Sequence, residues 1–500
     1  MSSPRFKSIP IDYDQHLLFP SNVFDLLPKD HDCFIYADIF KAIDTSAIEK
    51  AYHPLGQHAY HPQLITSILI YAYSHGVFSS REIQQKCTQD LAFMHISHMS
   101  CPNFRVLSDY RKNNRDFFLD CFQQSVKLAL KLKMVSLGHI SLDGSKFKAN
   151  TSKHKAMSYG RLKAQESELI EAVDDLIRKA TCCDEEQDSL YQESTGYSVP
   201  EDLIFKQKRL EKIQAAKEAL EKREAILNPE KLIDNKKQIS FADNEARIMK
   251  NNGAYDYCYN GQIVVDSDNQ IIVAQHTSQN ANDFLEVEPA LAALADATDS
   301  RPVDKMSLDN GYFSGSNLEA LDIASIDAYV ATDREEKPAN ITLAESDRKF
   351  VKADFIYQSE RDCFVCPAGE SMVTNPSSTA KRKSYQAAVK TCQSCVLLVR
   401  CSSAKKKGGR EIRTDKHEPA RQVMNQKMES GSAKEIYARR KVIVEPAFGH
   451  IKNSGFRGFS LRGKEKVAGE FSLVCAAYNF KKIVRKVLAG LIRLYEAQRA

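Results

Sequence analysis

Apolar residues recur along this chain with more than one period, and the changes of period divide it. Between His61 and Leu132 the spacing is helical. Ile65, Ile68, Leu69 and Ala72 share one face, Gly76 closes that run, and Ser79-Ser80-Arg81-Glu82 reads as a capping box opening the next helix. Pro102 starts another helix through Phe104, Leu107 and Tyr110. Short helices in series that carry Arg81, Arg105, Arg111 and Lys112 suit a helix-turn-helix-like DNA-binding module, or equally a small bundle with surface cations. From Leu137 to Ala149 the pattern changes to that of a strand, and His139-Ile140-Ser141-Leu142-Asp143-Gly144 predicts a strand whose end carries an acid before a glycine.

The helical period returns from Arg161 to Leu227 in two stripes. Leu162, Leu169, Val173, Leu176 and Ala180 form one, and Leu210, Ile213, Ala216, Leu220 and Leu227 the other, with polar Thr181 to Pro200 between them. An antiparallel helical hairpin is the economical reading. Beyond Gly261, Gln262 to Val265 and Gln270 to Ala274 predict a β-hairpin around the turn Asp266-Ser267-Asp268-Asn269. A helix from Asn282 to Ala297, a strand at Lys305 to Leu308 ending in Asp309, a helix from Ser314 to Ala324 and a strand at Asp327 to Ala331 follow. Thr332 to Ser432 is polar and cysteine-bearing, and from Ala433 the spacing is helical again. That order predicts an α/β protein with a mixed sheet flanked by helices.

Five hundred residues exceed one core and imply at least two domains. The most apolar runs, Leu64 to Tyr73 and Phe471 to Phe480, are too short to span a bilayer, and Met1 to Pro10 lacks the apolar run of a signal peptide, so a cytoplasmic location is expected. In that reducing compartment the 13 cysteines are free thiols or metal ligands rather than a disulfide framework. The net charge of +5 hides an asymmetry: residues 401–500 hold 23 Lys/Arg against 9 Asp/Glu, whereas the first 400 hold 47 against 56. A basic final fifth suits a polyanion such as DNA.

Three acids stand out by position: Asp143 and Asp309 at predicted strand ends beside glycines, and Glu445 in a basic helix. Carboxylates so placed are the ligands that two-metal phosphoryl transfer requires, with ions roughly 4 Å apart, and an oxygen-only donor set points to Mg2+ or Mn2+. Lys452, seven residues beyond Glu445, falls on the same helix face, where it can address a phosphate. Cys363-x-x-Cys366 and Cys392-x-x-Cys395, with Cys401 close behind, show the paired spacing of a structural Zn2+ site in which four of the five thiols bind, Cys366, Cys392, Cys395 and Cys401 being one possible set. Arg361, Lys381, Arg382, Lys383 and Arg400 around them would suit DNA contact, while Cys182-Cys183 carries no assigned role. His53, His58, His61 and His75 read as helix-cap or surface groups rather than ligands.

Ser141-Leu142-Asp143-Gly144-Ser145-Lys146, Ser307-Leu308-Asp309-Asn310-Gly311-Tyr312 and Val444-Glu445-Pro446-Ala447-Phe448-Gly449-His450-Ile451-Lys452 resemble, in order, the three acid-bearing motifs of bacterial insertion-sequence transposases of the DDE class. His61-Pro62 with its following helices is similar to their N-terminal helical domain, and Arg462-Gly463 to Tyr478-Asn479 to the tail after their glutamate. The resemblance covers nearly all of the chain beyond the first fifty residues. It implies an RNase H-like catalytic domain formed by 133–156, 240–332 and 433–500, an all-α DNA-binding domain at 1–132, a helical-hairpin insertion at 157–239 and a cysteine-rich, zinc-binding insertion at 333–432. It implies catalysis by Asp143, Asp309 and Glu445 with two Mg2+ ions, DNA contacts by Lys146, Arg440, Lys452 and Arg462, and a homodimer or larger assembly on the DNA of the nucleoid. Tyr437 and Arg440 stand eight and five residues before Glu445, one more than in the family's best-known motif. A lapsed DNA-binding descendant and a nuclease without strand transfer are the alternatives.

Overall fold

The computed structural model describes residues 22–52, 59–152, 156–190, 201–251, 253–332, 349–379, 382–401, 409–492 and 494; of 179–190 and 201–203 it describes the backbone alone. His53, His58, Lys381 and the side chains of Cys182 and Cys183 lie outside the described residues. Two compact units are resolved, Met1–Tyr110 with Ile483–Arg493, and Arg111–Lys482 with Leu494–Ala500.

In the smaller unit, helices α1 (Asp32–Phe40), α2 (Ser46–Glu49), α3 (Pro62–Ser74), α4 (Ser80–Gln89) and α5 (Leu91–Ile96) follow one another, and α6 (Phe104–Asn113) begins. The helix α3 is apolar on nearly all sides and is buried from Ile65 to Ser74, as a helix without a polar face must be. Tyr71 stacks edge-on between Tyr36 of α1 and Phe93 of α5, with ring centroids 5.2 and 5.0 Å away. His61 caps α3 by accepting the Gln63 N–H at 3.2 Å, and His75 pairs with Asp32 at 3.0 Å, in keeping with the capping and surface roles expected of them. Ser79 does precede α4, but its side chain makes no capping bond, so the anticipated box is not formed.

The larger unit opens with α7 (Arg115–Lys131), followed by β1 (His139–Lys148), β2 (Ala156–Ser158), α8 (Tyr159–Leu190), α9 (Glu201–Leu227), β3 (Gln238–Ser240), β4 (Arg247–Asn251), β5 (Ala254–Asp266), β6 (Ile272–Ser278), α10 (Val287–Thr298), β7 (Lys305–Leu308), α11 (Gly315–Ile323) and β8 (Asp327–Val330). Its main sheet runs β4-β5-β1-β7-β8, with β6 also paired to β5. β5 is antiparallel to β1 and β6, while β7 and β8 run parallel to β1. A hairpin strand pair on one side of a central strand and two crossover-linked parallel strands on the other is the RNase H-like arrangement, and the fold is mixed α/β as expected. Ile140, Ser141 and Leu142 are all fully buried, which is what a central strand covered on both faces requires. Asn479 completes the structure on β6, its amide accepting from Ile272 N at 2.9 Å and donating to Ile272 O at 2.8 Å as another strand would.

Three expectations need correction. Asp143 is not at a strand end: β1 continues to Lys148 because β5 is long enough to pair it as far as Lys148↔Cys258, and only the parallel pairing with β7 stops at Leu142↔Leu308. The polar stretch from Thr181 does not end its helix, since α8 runs on to Leu190. The helix expected from Asn282 starts only at Val287. The paired helices themselves form as anticipated, with Leu162, Ile213, Ala216 and Leu220 clustered on Ile239 and with β2 and β3 pairing at their base.

The cysteine-bearing segment is more ordered than its polarity suggests. Strands β9 (Ile356–Gln358), β10 (Cys363–Val365), β11 (Ser371–Thr374), β12 (Lys383–Gln386) and β13 (Glu411–Thr414) form an antiparallel sheet over Phe355, Phe364, Met372, Tyr385, Ala387 and Ile412, with α12 (Val389–Gln393) and α13 (Leu398–Cys401) inserted before β13. Helix then resumes earlier than Ala433, at α14 (Glu418–Glu429), where Pro419 suits the first turn, and continues through α15 (Gly431–Ala438), α16 (Arg440–Asn453) and α17 (Lys464–Leu488). No described helix is long and apolar enough to cross a membrane.

Candidate active site

The parallel register of β1 and β7 brings two acids side by side. Leu142 pairs with Leu308, so Asp143 and Asp309 are the next residues on neighbouring strands. Each carboxylate takes the N–H of a glycine in its own motif: Gly144 N donates to Asp143 Oδ1 at 2.8 Å and Gly311 N to Asp309 Oδ1 at 2.6 Å. Burial pushes the Asp143 carboxyl up to about 6, against the pull of Arg440 and of the Gly144 N–H, with the nearby Asp309 charge adding to the rise.

The helix α16 packs against β1 and β5 and supplies the opposite wall. Arg440, at its first residue, donates from Nη1 to Asp143 Oδ2 at 3.1 Å and reaches Glu445 Oε1 from Nη2 at 3.9 Å. The guanidinium thus lies between the first and third acids as their shared counter-charge. Glu445 itself is 54% exposed, so it can swing without breaking packing. Two turns on, Lys452 Nζ donates to Ser145 Oγ at 2.6 Å and sits near the rings of Phe147 and Phe448. Burial pulls its ammonium down, opposed by the charge of Asp143. Lys146 points to the same region but is tied to Asp283 at 3.2 Å. Arg462 is exposed and donates to Asn150 O at 2.9 Å, so it is not drawn into the acid cluster by any bond described.

Among the described residues, no three His, Cys, Asp or Glu side chains stand in an arrangement that could hold a metal ion. The donor set nevertheless fits a hard divalent cation. It is all oxygen, its Asp143 carboxylate already pairs with a cation in Arg440, and the adjacent Asn310 carries a buried Oδ1 without a hydrogen-bond partner.

Sequence reasoning missed one member. Asp283, in the turn before α10, accepts on Oδ1 from Asn260 Nδ2 and Gln262 Nε2, both at 2.7 Å, as well as from Lys146. The Gln262 Oε1 in turn accepts from the buried Tyr312 hydroxyl. No signal of period or motif marks Asp283.

The five cysteines separate. Cys366, Cys392, Cys395 and Cys401 line one cavity with Phe350, Phe355 and Arg410. Cys363 is buried in β10 with its Sγ 3.7 Å from Gln358 Oε1, and does not line that cavity. Burial pushes the Cys401 thiol up, Arg410 opposes this, and Cys392, Cys366 and Cys395 add to it. Cys366 opens a tight turn in which Gly369, at φ +86°, donates to Cys366 O at 2.8 Å, and Cys395 N donates to Cys392 O at 3.3 Å.

An RNase H-like sheet bearing paired acids, faced by a basic helix with a third, defines the class to which the molecule is built. Residues 21–113 match the transposase domain family (DUF772), and residues 365–484 match the transposase DDE domain family, a span that includes the four cavity cysteines, Glu445 and Lys452. By these two matches the chain is similar to transposases that carry a DDE domain. No curated protein and no solved structure matches it.

Proposed function

We propose that the protein cuts and joins DNA at the ends of an insertion sequence, with Asp143, Asp309 and Glu445 as its catalytic acids. One observation carries the reading: Asp143 and Asp309 adjoin on parallel strands and face Glu445 through a shared arginine. The three acids would hold two Mg2+ or Mn2+ ions, which when bound activate the attacking oxygen and stabilise the leaving one. Arg440 would release Asp143 and turn to a phosphate oxygen, where its fork of donors is suited to bind. Lys452, Lys146 and Arg462 would hold the flanking backbone. In the first step water adds to phosphorus as the P–O3′ bond breaks, freeing a 3′-hydroxyl; in the second that hydroxyl displaces a 3′-oxygen of the target strand. Fixed charges aimed at the crowded phosphate, not a covalent enzyme intermediate, supply the acceleration.

The remaining parts follow from the same reading. The N-terminal helices and the basic C-terminal fifth would bind the terminal repeats of the element, two copies of the chain would pair two ends, and the work would take place on the nucleoid in the cytoplasm. Cys366, Cys392, Cys395 and Cys401 would hold a structural Zn2+, a reading supported by the cavity they share.

The test is incubation of purified protein with labelled element-end DNA and Mg2+, resolving nicked and joined products for the wild type and Glu445→Gln. Metal-dependent joints that the variant loses by at least about a hundredfold are expected. Nicks without joints would mark a nuclease, and binding without cutting under Mn2+ as well would mark a lapsed enzyme.

A further inference from the structure

The glycines of the first two acid motifs share one neighbour, the side chain of Asp283. A Cβ built on Gly144 would lie 2.3 Å from Gln262 Nε2 and 3.0 Å from Asp283 Oδ1; one built on Gly311 would lie 2.9 Å from Asp309 Oδ1 and 3.4 Å from Asp283 Oδ2. The Asp283 carboxylate therefore reaches both motifs at once. Its Oδ1 gathers Lys146 from β1 and Asn260 and Gln262 from β5, and its Oδ2 stands against Gly311 after β7. Gln262 is itself oriented by Tyr312, whose hydroxyl burial holds protonated so that it donates. The two glycine N–H groups backed in this way are the ones that fix Asp143 Oδ1 and Asp309 Oδ1.

We propose that Asp283 is a positioning residue for the acid pair: it buttresses the glycine peptides that aim Asp143 and Asp309, with Gln262 beside it at Gly144, and it draws Lys146 in beside them. The missing side chain at Gly144 is the room this carboxylate and its amide partner need. Hydrogen-bond partners behind metal-holding carboxylates set how well those carboxylates bind, and their loss weakens metal affinity by about tenfold to a hundredfold. The inference rests on the reading of Asp143 and Asp309 as metal-holding acids.

The experiment is a titration of Mn2+ into the DNA-free full chain, following unbound Mn2+ by electron paramagnetic resonance, for the wild type, Asp283→Asn, Gly144→Ala and the double variant. Asp283→Asn keeps the size and removes the charge, so it should bind Mn2+ about tenfold more weakly. Its melting temperature should stay within about 2 °C. Gly144→Ala displaces the Gln262 amide from the other side and should weaken Mn2+ by a similar factor, and the two losses should not add, because both undo one contact. Were Asp283→Asn to unfold, Gly144→Ala alone carries the same expectation. Equal Mn2+ affinity in wild type and variants, or strictly additive losses, would overturn the inference alone. A wild type that takes up no Mn2+ would overturn the metal-holding reading and this inference with it.

Discussion

A half-buried and a fully buried carboxyl on the central strands meet the cost of their charge in different ways. Asp143 has a cation within reach in Arg440. Asp266, at the end of β5 and fully buried, has only backbone N–H groups, from Leu137 at 3.0 Å and Asp268 at 2.9 Å. Burial therefore pushes its carboxyl up from 3.8 to about 6, with the Asp268 charge adding and the N–H groups opposing. The folded protein keeps this proton where the unfolded chain has lost it. Stability from the group is complete below pH about 4 and is lost as pH rises through about 6, an effect on the order of 3 kcal/mol. Asp266→Asn stays neutral at every pH and retains an acceptor oxygen. Urea unfolding of both proteins at pH 4.5 and 7.5 should show the variant gaining on the wild type at the higher pH by about 2 kcal/mol. The same gain at both values would mean that Asp266 is already ionised in the fold at pH 4.5.

At the scale of elements, what the sequence revealed depended on run length. The paired helices were legible because a period persists through them, and the short strand ending at Leu308 because an acid motif follows it. So were the three acids, each embedded in its own local motif. The sheet β9–β13 was not, since strands of three or four residues give alternation no room to show. Asp283 was hidden for a related reason. The turn that holds it breaks helical order just before α10, and its partners lie 21, 23 and 137 residues away in the chain. Gly144 misled in the opposite direction, suggesting a strand end where it makes space inside a continuing strand. The small sheet also raises a question of stability, because six buried side chains are few for a unit of its size. A metal joining the turn after β10 to α12 and α13 would staple it. Purified protein should then carry about one Zn2+ per chain, retained by Cys363→Ser and lost by Cys366→Ser or Cys395→Ser, as measured by metal analysis after dialysis. Zinc lost equally from Cys363→Ser, or absent from the wild type, would return these thiols to the role of small apolar side chains.

For the whole molecule, charge sets the terms of DNA binding. The first 400 residues carry more acid than base, and the acid pair with Glu445 and Asp283 gathers negative charge where the proposed reaction would place a phosphate. Attraction has to come from cations placed around that cluster and from the last hundred residues, with 23 Lys/Arg against 9 Asp/Glu. Each phosphate neutralised releases counterions, so the logarithm of the binding constant should fall linearly with that of salt, at about 0.9 per phosphate contact. Lys452 and Lys222 distinguish the two kinds of cation. Lys452 stands beside the acids on Ser145, whereas Lys222 on α9 is paired with Glu218 along its own helix. In chelator, Lys452→Ala should reduce the steepness of the salt dependence by about one unit, and Lys222→Ala should leave it unchanged. Unchanged steepness in Lys452→Ala would mean that the phosphate backbone does not pass along that face of α16. The DNA would then have to approach the acids from the β7 side, with Arg440 as the cation of α16 that touches them.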